Sequence, residues 1–371
     1  MPTPSVQDAD RLARGVLRQR LHVRPKETVT IESYPASLPW AAGFVRESRR
    51  LGARPLVIYE DEASYWTGVD EGHAAIVGSP GAPEWAALAA SDVYIYFWGP
   101  EDMGHRNRLP PRQREQLTAF NSKWYDVARK SGIRGARMGI ARVTPSNARL
   151  FGVPEARWRD QVLTASLRDP AQLRPLARRI ARRMEDGRTV RIRHPNGTDL
   201  RLGLASRRAI VTIGEVTAED RKLRFGMMAS VPDGSVYVSV DESTADGTFV
   251  ANRPTTTAPA GPLVGGRFTF REGRLTRASF ERGGQAFRVP FRDAGRCRDR
   301  PAFLEVGLDP SLGGVPLLEE GELGAVTVGV GANAGFGGAT RGGFLAYLTL
   351  AGAELTIDDR VVVRRGRPVG G

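Results

Sequence analysis

Apolar residues recur along this chain with two different periods, and the change falls near residue 187. Before it, helical spacing alternates with short apolar runs. Residues 7–21, QDADRLARGVLRQRL, put Leu12, Val16, Leu17 and Leu21 on one helical face, and Asp8 or Asp10 can cap the start. A strand is expected over Thr28–Glu32. A second helix runs from Pro39 to Arg50 and stops at Gly52. LVIYE (56–60) is continuously apolar, the kind of strand buried on both faces of a parallel sheet. A helix around 84–90, a strand over 92–99, a helix over 111–131, a strand MGIARV (138–143) and an arginine-rich helix over 169–186 follow. Strand–helix alternation at this spacing predicts an α/β domain with a mostly parallel sheet.

From about residue 188 the pattern becomes short strands and glycine turns. RTVRIRHPNGTDLRLGL reads as two strands joined at Pro-Asn-Gly. Phe268–Thr276 turns at Glu272-Gly273, and Leu355–Val363 turns at Asp358-Asp359. Only 292–305 has a helical look. The expectation is two domains, 1–187 (α/β) and 188–371 (mainly antiparallel β). Asn252–Pro262 is a loop placed to close over a site.

Composition narrows the class. A chain of 371 residues with 41% hydrophobic residues can build two cores, and no apolar run is long enough to span a membrane. The N-terminus lacks the apolar stretch of an export signal, and the single cysteine, Cys297, has no internal partner. Together these predict a reducing, cytoplasmic setting. Net charge is +13, mostly arginine. No nucleic-acid motif accompanies it, so a basic solvated surface with an acidic peptide as partner is expected, and neither nucleic acid nor membrane.

The chemistry centres on 305–347. Apolar β-rich runs at 325–330 and 344–350 flank a glycine-rich segment, 331–343, and the whole resembles the floor of an active site. It offers one carboxylate among apolar residues, Glu305, which can act as general base with a raised pKa or be satisfied by an arginine or backbone amides. Asp241-Glu242 can hold a peptide amine or an arginine, or simply flank a turn. No histidine follows His194, which excludes a serine–histidine–acid arrangement in the second half. His22, His73, His105 and His194 lack metal-ligand spacing. The glycine run lacks the ending of a phosphate loop.

Several segments resemble the aminopeptidase T / aminopeptidase S family of two-metal aminopeptidases: VRPKETVTI (23–31), RESRRLGARPLVIYEDE (46–62), PNGTDLRLGL (195–204), VPDGSVYVSVDESTADGTFVAN (231–252) and LTIDDRVVVRRGRPV (355–369). The resemblance implies an α/β N-terminal domain, a β-rich C-terminal domain, a homodimer and a metal pair. Carried over position by position, the family's ligands fall on Ser235, Glu305, Thr327, Phe336, Leu345 and Tyr347. Only Glu305 keeps a ligating side chain of the family's kind.

A pair of divalent ions needs several anionic or imidazole donors. The sequence therefore predicts no metal and no cofactor. The expected protein is a peptide-binding relative of the aminopeptidases, not an active metallopeptidase, with Ser235, Asp241, Glu242, Glu305, Thr327, Phe336, Leu345 and Tyr347 around its ligand. Its expected role is to present an acidic precursor peptide to a tailoring enzyme in peptide natural-product biosynthesis. The alternatives are a metal-independent enzyme using Glu305 as acid/base, with Tyr347 or Thr327 in support, and a metallo-aminopeptidase with other ligands.

Overall fold

The computed structural model describes residues 4–223, 226–255 and 262–369. The chain forms two compact units. The first holds Met1–Pro170 and Gly214–Pro232; the second holds Ala171–Ile213 and Asp233–Gly371. The division expected at 187 thus lies at 170, ahead of the arginine-rich helix Pro170–Asp186, and the chain re-enters the first unit once. Among the described residues no helix is long and apolar enough to cross a membrane.

The first unit is built on a five-stranded, all-parallel sheet. Its order is Arg54–Tyr59, Thr28–Ser33, Val93–Phe97, Arg134–Met138, Met228–Val231. The first helix, Val6–Arg14, is capped by Ser5, whose hydroxyl accepts from the Asp8 amide, rather than by Asp8 or Asp10. It packs on Leu38–Arg50 so closely that a Cβ on Gly43 would meet the Ala9 carbonyl at 2.6 Å.

Three expectations are corrected here. Arg54–Tyr59 is an edge strand, with Leu56, Val57 and Tyr59 40–50% exposed, because an apolar run does not reveal whether both its neighbours are filled. The fourth strand is Arg134–Met138, and 139–142 is a 3-10 turn. The helix expected over 111–131 is two, Pro111–Gln116 and Asn121–Ser131.

The second unit carries two antiparallel sheets, of eight and five strands. The hairpins fall where the turn residues place them. Glu272-Gly273 and Asp358-Asp359 all have positive φ, as tight two-residue turns require. The helix expected over 292–305 is instead Gly284–Asp293, and Pro301–Gly307 is a fully buried strand. A proline inside the helix, Pro290, obscured its signal.

The five-stranded sheet runs Leu345–Leu350, Val326–Gly331, Pro301–Gly307, Ser235–Ser239, Ile210–Thr212. Alternation splits it by face. Val236, Val238, Leu304, Val306, Val326, Val328, Leu348 and Leu350 join the main core of this unit. The other face is chemically different, and it holds most of the candidate residues.

Candidate functional site

Register places that second face. Glu305 pairs with Tyr237 on one side and Thr327 on the other, Thr327 pairs with Thr349, Gly329 with Tyr347, and Ser235 with Gly307. Directly paired residues share a face, so Ser235, Glu305, Thr327 and Tyr347 come together, with Leu345 at the end of the same row. Phe336 joins them from the glycine-rich loop: its ring lies 5.3 Å from Tyr237 and 5.5 Å from Phe303, and its carbonyl accepts from the Ser239 hydroxyl at 2.6 Å. Phe303 in turn meets Tyr347 edge-on at 5.2 Å. The result is a cradle of hydroxyl and aromatic groups around one buried carboxyl, Glu305, which is 7% exposed.

The polar groups are largely satisfied. Thr327 and Thr349 share a hydrogen bond of 2.9 Å, as do Thr212 and Ser235. The Tyr347 carbonyl accepts from the Thr255 hydroxyl at 2.7 Å. Burial raises the Tyr347 phenol well above its usual range, and the Glu305 and Glu320 charges push the same way.

Glu320 is the residue that sequence reasoning missed. It sits in the turn Glu319–Gly321, packed on the Glu305 strand. Gly307 permits this approach: a Cβ there would lie 2.1 Å from the Glu322 carbonyl and 2.6 Å from that of Glu320. Burial raises the pKa of both carboxyls, and repulsion from Glu320 and Asp233 adds to that of Glu305, while a bond to Ser235 offsets part of it. Burial and this repulsion favour the protonated form of Glu305 over its charged form. Nothing in a single sequence couples residues 305 and 320.

Asp241 and Glu242 divide the two structural roles expected of them, a turn and the holding of an arginine. Asp241 accepts from the Ser243 amide and hydroxyl at 2.9 and 2.6 Å, which makes a local turn. Glu242 takes Arg207 on both oxygens, at 2.7 and 2.9 Å, and also accepts from Asn333 Nδ2 (2.7 Å) and the Ala339 amide (2.9 Å). Burial opposes its charge, yet these donors hold its carboxyl down at about 2. It therefore fastens the glycine-rich loop at 333–340. Of the expected closing loop at 252–262, residues 256–261 lie outside the described residues.

The histidines are placed apart. His22, His73 and His105 are in the first unit, where His105 stacks on Trp66 with centroids 4.1 Å apart. His194 ends a hairpin strand and accepts from the Asn196 amide. Cys297 is a free thiol on a left-handed turn residue.

The comparisons agree with this architecture. A family model described as thermophilic metalloprotease (M29) matches residues 171–295. AmpT from Thermus thermophilus superposes with a TM-score of 0.70 at 16% identity, over 98% of this chain and 99% of that one. A 2,5-dihydroxypyridine dioxygenase from Pseudomonas putida KT2440 superposes with a TM-score of 0.65 at 14% identity, over 99% of both. No curated protein matches. The sequence resemblance and the two-part fold are upheld: an α/β unit with a parallel sheet, an antiparallel β unit, and the architecture of an M29-type aminopeptidase. A metal pair, which the sequence resemblance implies, does not suit the donors present. Ser235, Thr327, Phe336, Leu345 and Tyr347 supply no carboxylate or imidazole. Among the described residues no group of three or more His, Cys, Asp or Glu is placed to hold an ion.

Proposed function

We propose that this aminopeptidase-like chain binds peptides by their amino terminus and does not cleave them by a metal mechanism. The observation that carries the reading is the buried Glu305 carboxyl, with the half-buried Glu320 in the turn packed on its strand, set in a face of hydroxyl and aromatic side chains. An ammonium group is the natural counter-ion for such carboxyls, since it offsets the repulsion between them and the cost of burying their charge. Residues further along the peptide lie against Phe303, Phe336 and Tyr347. The net charge of +13 favours a peptide with acidic side chains beyond its first residues. The role we propose is to hold such a precursor peptide for a tailoring enzyme in natural-product biosynthesis, with the protein acting as a homodimer.

Titration calorimetry with an acidic model decapeptide tests it. Binding should weaken with salt, and should fall when the amino terminus is acetylated or Glu305 becomes Gln. Equal affinity for free and acetylated peptides would remove the basis of the reading.

A second reading rests on the same pair. Two such carboxyls can serve as acid and base in a metal-independent reaction, with Glu305 in contact with substrate. The fold accommodates different chemistries, since one relative is named a dioxygenase and another AmpT. Turnover of a bound peptide that disappears in Glu305→Gln, while binding survives, would favour it.

A further inference from the structure

The first unit contains a cavity of about 470 Å³, within the size range of small-molecule sites. Its place in the sheet is informative. The first strand, Thr28–Ser33, has the second strand on one side and the third on the other, so the winding direction reverses between the first and third strands. Open parallel sheets hold ligands at such reversals, outside the carboxyl ends of the strands. The cavity is lined from those ends: Glu32 lies near the end of the first strand and Tyr34 follows it, Glu60 follows the second, and Tyr96 lies near the end of the third with Trp98 just beyond.

Its charges are sorted. Glu32, Glu60 and Glu84 lie close enough to repel one another; burial, and then that repulsion, lifts the Glu32 carboxyl to about 7, even with a 2.6 Å bond from Tyr94 Oη. At the other end stand Arg106 and Arg142, neither in an ion pair among the described residues. Burial and its neighbour Arg106 depress Arg142 to about 9. Tyr96 lies between: besides burial, Glu32 pushes its phenol up while Arg142 and Arg106 pull it down.

Two buried donors in the wall lack partners. Trp98 Nε1 and Arg142 Nε make no hydrogen bond, although the Arg142 guanidinium lies 3.6 Å over the Trp98 ring. Buried donors are seldom left unmade, and these two ask for an acceptor supplied from outside. Trp85 and Trp124 complete apolar walls.

We propose that this cavity binds a small zwitterion with an aromatic side chain and its two charges at opposite ends, of dipeptide size. Its ammonium faces Glu32, Glu60 and Glu84; its carboxylate takes Arg142, Arg106 and the Trp98 N–H; its ring stacks among the tryptophans. The site is separate from the sheet face around Glu305 and does not depend on the function proposed for that face.

The test uses tryptophan fluorescence of the full chain. All six tryptophans, including three in the cavity wall, fall in the first unit, so the signal reports on that unit alone. The probes are Phe-Gly, N-acetyl-Phe-Gly and Phe-glycinamide. Phe-Gly should change the emission saturably, and losing either charge should weaken it by about tenfold or more. Glu32→Gln should weaken Phe-Gly and Phe-glycinamide but leave N-acetyl-Phe-Gly unchanged; Arg142→Met should do the converse. Where a variant does not fold, the two blocked probes on unaltered protein carry the test. Glu305→Gln should leave all these curves in place, which separates this site from the other. Binding of either blocked probe within about twofold of Phe-Gly, or no response to Phe-Gly up to about 10 mM, would overturn the proposal.

Discussion

Arg207 grips Glu242 with one hydrogen bond to each carboxylate oxygen, at 2.7 and 2.9 Å, and so holds the start of the glycine-rich loop through Asn333. Glu242→Gln should cost about 2 kcal/mol and loosen 333–340, since it leaves part-buried donors unmatched. Chemical denaturation gives the first quantity and hydrogen exchange of the loop amides the second. An unchanged exchange pattern would count against this role.

The same carboxylate makes stability depend on acid. Its folded pKa is held at about 2, below its value in the unfolded chain, so its contribution is full above the unfolded value. It is lost as pH falls from about 4.5 towards 2. Glu242→Gln should therefore flatten the acid limb of the stability curve, read as the difference in Tm between pH 5 and pH 3.

Glu305 behaves in the opposite sense. Burial and Glu320 raise its folded pKa, so the fold favours its protonated form and loses stability as pH rises through the raised value. Glu305→Gln should match the parent near pH 4 and become more stable at pH 8–9, the gap widening with pH. Melting curves at three pH values decide; a constant gap would mean the carboxyl is not strained by its surroundings.

Gly329 keeps the cradle open. A Cβ there would fall 2.3 Å from the Phe303 ring, which touches Phe336, Tyr347 and Tyr237. Gly329→Ala should displace that ring, cost about 1–3 kcal/mol and weaken peptide binding. Peptide affinity equal to the parent's would show that the Phe303 position does not matter to the ligand.

Under the function proposed here, chelation changes nothing. Dialysis against EDTA, or addition of zinc, cobalt or manganese, should leave Tm and peptide binding unaltered and confer no aminopeptidase activity. Two equivalents of tightly held metal by elemental analysis would refute the metal-free reading.

Much of the fold was readable because its signals are local. The turns at Glu272-Gly273 and Asp358-Asp359, the apolar face of the first helix and the strand–helix alternation each depend on a few adjacent residues. What escaped depends on distance along the chain. The run at 54–59 looks identical on an edge and in a sheet centre. Glu305, Thr327 and Tyr347 were found through a resemblance whose positions the register brings onto one face. Glu320 was not, nor was the identity of the partners Arg207 and Asn333 that Glu242 takes, because folding alone makes those groups neighbours. The cavity of the first unit gathers residues from 32 to 142, and each reads singly as an ordinary aromatic or charge.

The re-entry of Gly214–Pro232 has a practical meaning for anyone dividing the gene. A fragment ending near residue 170 would lose the strand Met228–Val231 and present Arg134–Met138 as a bare border, ready to pair with another molecule. A fragment starting at 171 would carry that orphan strand as an unmatched insertion between Ile213 and Asp233. Only the second half of the sequence carries a piece of the other unit, and that one loan ties the two cores to a single expressed chain.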